Sequence, residues 1–100
     1  MGGKLTLVQV AFGDDDSVSK KVGRILADDN SYTAISDLAK AARVTEDAIV
    51  GAIFRLRDDF HVIEEHMGIA KVKEGQRVIE NSVRVRAEYI DDVRELFRGK

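Results

Sequence analysis

The sequence offers few candidates for catalysis, and the most suggestive group surrounds two histidines. His61 and His66 lie five residues apart, with Glu64 and Glu65 between them. Histidine and glutamate can together bind a metal ion, but this segment is predicted to form a strand followed by a turn. Alternation along a strand places the two histidines on opposite faces, so we expect no metal site there.

The other possible ligand group is the acidic run Asp14 to Asp16, which follows Gly13. Three adjacent carboxylates repel one another in a regular element, so we expect a solvated loop rather than a metal site. The chain has no cysteine, which excludes a thiolate metal site and a cysteine nucleophile. It also has no glycine-rich phosphate loop and no nucleophile elbow. We therefore predict that the protein is not an enzyme and uses no cofactor.

The composition is that of one globular domain. One hundred residues suffice for a single core, and 44% apolar and 34% charged side chains are ordinary proportions for such a chain. Because there is no apolar run long enough to span a bilayer and no signal-peptide pattern, we expect a cytoplasmic protein. The net charge of −2 argues against coating nucleic acid through bulk charge. Residues 69–86, however, hold five basic and two acidic side chains, so the positive part is predicted to precede the last helix.

Residues 35–60 have the apolar spacing of two consecutive helices. In each half, apolar residues recur at i, i+3, i+4 and i+7, namely Ile35, Leu38, Ala39 and Ala42, then Ile49, Ala52, Ile53 and Leu56. Ser36 is the predicted N-cap of the first helix and Thr45 that of the second. Glu46 and Asp47 follow Thr45 in the first turn, where the helix dipole favours negative charge. Each helix therefore has one apolar stripe, and the two stripes can face each other.

This arrangement resembles the helix-turn-helix of the winged-helix family. In that family a small residue on the first helix meets a branched apolar residue ten positions later, and further apolar residues follow; here these are Ala39, Ile49, Ile53 and Leu56. The family prefers glycine four residues after the small residue, where this chain has Arg43. Because a non-glycine residue with positive φ is uncommon, we expect either a strained turn or a longer one.

The resemblance implies an α+β fold, a winged helix-turn-helix with an N-terminal strand and a C-terminal amphipathic helix. Residues 1–100 would form one domain, with the helix-turn-helix at 35–60, the wing at 60–86 and the last helix at 87–98.

The segment before this motif is predicted to contain a strand, a helix and a short strand. Residues 4–12 are rich in β-branched and apolar side chains on both alternating faces, which favours a strand covered on both sides. Residues 17–27 have helical spacing, with Lys20, Lys21 and Arg24 on the polar face. Those cations are interpreted first as a solvated face and second as phosphate contacts. Residues 32–35 fit the very short strand that winged-helix domains often place before the second helix.

The segment after the motif is predicted to be mostly strands. Residues 60–65 form one strand, and residues 69–72 and 77–80 form a hairpin around Glu74 and Gly75. In the winged-helix resemblance this hairpin is the wing, and Lys71, Lys73 and Arg77 would stand beside the minor groove or the sugar-phosphate backbone. Residues 82–86 alternate again and are either a third wing strand or the lead-in to the last helix.

The last helix has one apolar stripe, formed by Ile90, Val93, Leu96 and Phe97. Such an apolar stripe must be buried against another surface. It packs either on its own domain or on the same helix of a second chain, which would give a two-fold dimer suited to a palindromic DNA site.

Function depends on what the second helix of the motif presents outward. Opposite its apolar stripe stand Glu46, Asp47, Val50, Gly51, Phe54 and Arg55, of which only Arg55 is cationic. One hypothesis, by analogy with the commonest use of the fold, is a dimeric DNA-binding transcriptional regulator. Its predicted contacts with double-stranded DNA are Arg43, Thr45, Arg55, Arg57, Lys71, Lys73 and Arg77. The alternative is a protein-interaction module that docks a partner on Val50 and Phe54, an apolar pair one helical turn apart.

Overall fold

The computed structural model describes residues 2–13, 17–28 and 31–98, with side chains except at positions 2–5, 69–71 and 73. The acidic run Asp14 to Asp16 lies outside these ranges. In chain order the elements are α1 (Gly2–Phe12), α2 (Val18–Asp28), β1 (Thr33–Ala34), α3 (Ile35–Ala42), α4 (Glu46–Phe54), β2 (Ile63–Lys73), β3 (Gln76–Val85) and α5 (Ile90–Phe97). A π-helical turn, Arg55–Asp59, continues α4. The α+β class is confirmed.

The first element is a helix, which corrects the predicted N-terminal strand. Val8, Ala11 and Phe12 are buried, and their spacing of three and four residues is that of one helix face. Apolar residues lie on nearly every side of this helix. The two-residue alternation of a strand therefore fits its sequence as well as helical spacing does. Packing decides between them, because α1 lies against α2 and α5. Gly23 of α2 makes room for the Phe12 ring, since a Cβ there would lie 2.5 Å from Phe12 Cδ1.

The second helix agrees with its prediction to within one residue. The Ser17 hydroxyl accepts a hydrogen bond from the Lys20 backbone amide at 3.1 Å, so Ser17 caps the first turn. Val22 and Leu26 point into the core. The short strand is also confirmed, because Thr33 and Ala34 pair with Val83 and Ser82.

Helices α3 and α4 form the predicted pair, joined by a tight turn. Thr45 is the N-cap of α4, since its hydroxyl accepts from the Ala48 amide at 3.2 Å. The prediction of Ser36 as the cap of α3 is wrong, because Ala34 holds that position. The Ser36 amide instead donates to the Glu80 carboxylate at 2.6 Å, so a hairpin residue neutralises the positive end of α3.

The turn between these helices contains a strained residue, the first of the two alternatives. Arg43 has φ 60° and ψ 44°, the left-handed conformation. The following amide, of Val44, donates to the Ala39 carbonyl at 3.1 Å. A left-handed residue with a Cβ costs roughly 1–2 kcal/mol, a cost that glycine avoids.

The separate strands predicted after the motif are one long hairpin. Strands β2 and β3 pair antiparallel, and β1 joins the other edge of β3. Glu74 and Gly75 both have positive φ, 52° and 79°, as a tight two-residue turn requires. Residues 82–85 are the end of β3, so they are neither a third wing strand nor the lead-in to the last helix.

A β-bulge divides this hairpin. His66 pairs with Ser82 and Ile69 with Glu80, so Met67 and Gly68 oppose a single residue. Gly68 has φ 88°, a conformation that glycine adopts without steric cost.

Helix α5 covers its own domain, packing on α1 and α2. Ile90 and Val93 are buried, so they are not the surface residues that the predicted dimer contact requires. Leu96 and Phe97 pack against the core, and the Phe97 ring meets Phe12 edge-on at 6.5 Å between centroids. This is the first of the two alternatives for the last helix.

Candidate interaction site

The outward face of α4 is apolar in the middle and acidic at its start. Val50 is 36% exposed and Phe54 53% exposed. Glu46 and Asp47 are exposed in the first turn. A Cβ added at Gly51 would meet nothing within 4 Å, so no element of the described chain covers that point. The helix thus offers apolar side chains where a base-reading helix carries hydrogen-bonding ones.

This face forms one wall of a groove. A concave region of about 370 Å³ is lined by Ile35, Glu46, Val50, Val78, Ile79, Glu80 and Asn81. A second of about 150 Å³ shares Ile35, Val50 and Asn81 with it and extends to Ile53, Phe54, Arg57 and Glu65. We call the two together the α4–hairpin groove. Because Ile79 is 70% exposed, both walls present apolar surface to solvent.

The hairpin wall was not foreseen from the sequence. The sequence predicts a hairpin strand at Ile79 and places Ile35 in the stripe that packs inside the helix-turn-helix. The sequence contains one indication of it, the alternation of side chains along a strand. Ile79 is an even number of residues from the buried Val83 and Val85, so it lies on the same face of the strand as they do. That indication could be used only once residues 76–85 were known to form one strand.

Arg55 was predicted to contact DNA, but it turns toward the first two helices. Its guanidinium donates to the Val10 carbonyl at 3.4 Å and to the Ser19 hydroxyl at 3.5 Å. It also lies 5.1 Å from the centre of the Phe60 ring. These contacts fasten the end of α4 to α1 and α2.

Arg57, predicted for the same role, turns toward the hairpin. It forms a two-pronged ion pair with Asp58, with distances of 2.9 and 3.0 Å, and a second ion pair with Glu65. Its guanidinium lies 4.9 Å from the centre of the Phe54 ring. The hydrogen bond from Arg57 lowers the pKa of Asp58 below its usual value. The charge of Arg57 is therefore balanced within the molecule, and the side chain supports one wall of the groove.

The other predicted DNA contacts lie in the turn between α3 and α4 and on both strands of the hairpin. Arg43 is exposed in the turn, and Thr45, also exposed, uses its hydroxyl to cap α4. Arg77 is exposed on β3, while Lys71 and Lys73 lie on the edge strand β2. Lysine on an edge strand also discourages pairing with other chains, which gives these positions a structural explanation.

The histidine segment forms no ligand group. The Tyr32 hydroxyl donates to Glu64 at 2.8 Å and Arg84 donates to the same carboxylate at 3.2 Å. The bond from Tyr32 lowers the pKa of Glu64. The His66 ring packs 5.3 Å from that of Tyr32, while His61 precedes β2 with φ 55°. Among the described residues, no three histidine, aspartate or glutamate side chains stand where they could hold a metal ion.

The chain matches no family model, no curated protein and no solved structure. Within the described ranges, no helix is long and apolar enough to cross a membrane.

Proposed function

We propose that this chain is a winged-helix domain that binds a segment of a partner protein in the α4–hairpin groove. The observation that carries the proposal is the exposure of Val50 and Phe54 on α4, with Ile79 of the hairpin sharing the larger concave region with Val50. Large exposed apolar side chains that share a concave surface are typical of protein-interaction sites.

The winged-helix assignment is supported by the order and contacts of the elements. A short strand precedes two packed helices, and a long hairpin follows directly after the second. The hairpin then returns to pair with that short strand, which places it beside α4. This is the arrangement that the resemblance of residues 35–60 implies.

The negative charge of the groove indicates the kind of segment that it can bind. Glu46 lines its larger part beside Glu80, whose carboxylate accepts a hydrogen bond from the Ser36 amide, and Asp47 follows at the start of α4. Arg57, the cation of the described lining, is balanced by Asp58 and Glu65. Electrostatic complementarity therefore favours an amphipathic segment with apolar anchors and flanking Lys or Arg.

The same features disfavour α4 as a base-reading helix. Val50 and Phe54 cannot hydrogen-bond a base edge and offer DNA only apolar contact, as with a thymine methyl group. Carboxylates at the start of the helix would repel the phosphates on either side of the major groove.

The test is binding of a synthetic fluorescent helix with leucines at i, i+3, i+4 and i+7 and lysines elsewhere, measured by anisotropy. We expect it to bind the wild-type chain and to bind Val50→Ser/Phe54→Ser at least tenfold more weakly, because apolar anchors dominate such contacts. Amide chemical-shift changes should centre on α4 and residues 78–81.

Two controls make the test specific. The same peptide with every lysine replaced by glutamate should bind far more weakly, and Val10→Ser, which changes an exposed apolar residue on α1, should leave affinity unchanged. Equal affinity of the double variant and the wild type would overturn the groove as the binding site.

A second candidate is the dimeric DNA-binding transcriptional regulator, favoured by the exposed Arg77 and the two lysines of β2. In that case the hairpin would contact the phosphate backbone. Replacing Lys71, Lys73 and Arg77 by alanine should then weaken binding to duplex DNA and flatten the slope of log affinity against log salt by about one unit per lost contact. An unaltered affinity and slope would rule out the hairpin as a phosphate contact.

A further inference from the structure

One polar side chain interrupts the apolar face of the hairpin. Positions 79, 81, 83 and 85 of β3 share one side of the strand, because side chains alternate along it. Val83 and Val85 are fully buried, and Ile79 lines the groove. Asn81 stands between them and lines both parts of the α4–hairpin groove. A polar residue on such a face calls for a hydrogen-bond partner.

The Asn81 side chain makes no hydrogen bond within the described ranges of the chain. Its polar neighbours in the lining are engaged. Glu80 accepts from the Ser36 amide at 2.6 Å, and Arg57 forms an ion pair with Glu65. Because Asn81 is only partly buried, its carbonyl oxygen and its NH₂ group are open to water or to a ligand.

The β-bulge of the hairpin lies opposite Asn81. Asn81 is the single residue that Met67 and Gly68 oppose. A Cβ added at Gly68 would lie 3.9 Å from Ile79 Cγ2, so this glycine is beside the apolar face and contributes no side chain to it. Bulges are common next to functional sites, where they redirect a side chain. Here the bulge leaves the amide of Asn81 uncovered by a side chain at position 68.

A segment bound in the groove would cover Asn81 and displace its water. A buried amide without hydrogen-bond partners is costly, so the segment must supply both a donor and an acceptor. A helix uses its own backbone groups internally, so in a helical segment a side chain must supply them. Lysine and arginine have no acceptor, while a carboxylate has no donor and would meet Glu46 and Glu80. A side-chain amide has both groups.

We propose that Asn81 determines the specificity of the groove by pairing with one Asn or Gln in the apolar stripe of the bound segment. This inference rests on the proposed function, since it concerns the segment that the groove binds. A single asparagine in an otherwise apolar helical interface fixes the register of the two partners, because every other register leaves the amide unpaired. Asn81 therefore selects against segments whose stripe is wholly apolar.

The test is a double-mutant cycle between the full chain and the fluorescent leucine probe. Each leucine of the probe is replaced in turn by asparagine, and every probe is titrated by anisotropy against the wild type and Asn81→Val. At one probe position, the affinity of the asparagine probe relative to the leucine probe should be about tenfold or more higher for the wild type than for Asn81→Val, because only the wild type can pair the new amide. At the other positions, the two proteins should give the same ratio within about twofold.

Gln76→Val is the matched control. It replaces an exposed amide of the same strand that is absent from the described lining of the groove, so it should leave every ratio unchanged. Asn81→Val should keep the fold, because valine is favoured in strands and continues the apolar face of Val83 and Val85. A thermal unfolding curve checks this. In the wild type, a nuclear Overhauser effect should join the Asn81 side-chain amide to the asparagine of the coupled probe.

Failure of this inference differs from failure of the proposed function. Equal ratios for the wild type and Asn81→Val at every probe position, with Val50→Ser/Phe54→Ser still weakening each probe, would show that the groove binds its segment without reading an amide. That result would overturn the role of Asn81 alone. If the wild type binds none of the probes, the groove itself is ruled out as the site, and this inference falls with it.

Discussion

Phe12→Ala is expected to lower the free energy of unfolding by about 3–5 kcal/mol. The Phe12 side chain is fully buried, where it fills the space above Gly23 and meets the Phe97 ring. Truncation leaves a cavity between α1, α2 and α5 that the surrounding helices fill only in part. A domain of this size has a total stability of about 5–15 kcal/mol, so the loss should be plain in a urea unfolding curve.

Val10→Ala is the matched control, and it discriminates between the two structures considered for this segment. In a strand, Val10 and Phe12 share a face, so truncating either should be costly. In α1 they point apart, and Val10 is 54% exposed, so its truncation should change stability by no more than about 0.5 kcal/mol. Comparable losses in the two variants would refute the helical assignment.

The wrong prediction of a strand at α1 has a physical cause. Residues 4–12 contain apolar side chains at six of nine positions, so periods of 2 and 3.6 residues both find a match. Their β-branched side chains then favour a strand. The α3–α4 pair was predictable because apolar residues recur at i, i+3, i+4 and i+7 in each half, and because Thr45 provides a cap.

From the sequence alone, only those site residues that share a single helix or strand could be predicted together. Val50 and Phe54 follow from the spacing within α4 alone. The opposite wall at Ile79 depends on the length of β3.

The two arginines at the end of α4 show the same limit. Helix geometry predicts the direction in which a side chain leaves the helix axis. The sequence, however, does not predict the wider π-helical turn at residues 55–59. Partners such as Ser19 for Arg55 lie far away in the sequence. Local spacing therefore could not reveal that both arginines are held within the molecule.

Gly23→Ala is expected to destabilise the domain by about 1–3 kcal/mol, although alanine is intrinsically the better helix former by about 1 kcal/mol. The reason is that the new Cβ would lie 2.5 Å from Phe12 Cδ1 and 3.0 Å from Cε1 and Cγ. The ring is fully buried, so it has no free space into which to move. Helix propensity and packing therefore predict opposite signs at this position.

Gly51→Ala separates those two effects, because it is the same substitution in a helix where nothing lies within 4 Å of the new Cβ. It should raise the free energy of unfolding by up to about 1 kcal/mol. Phe12→Leu combined with Gly23→Ala should then cost less than the sum of the two single changes, because the smaller side chain leaves room for the methyl group. Urea unfolding of the four variants measures both differences. Strict additivity, or stabilisation by Gly23→Ala alone, would show that α1 and α2 do not meet through this contact.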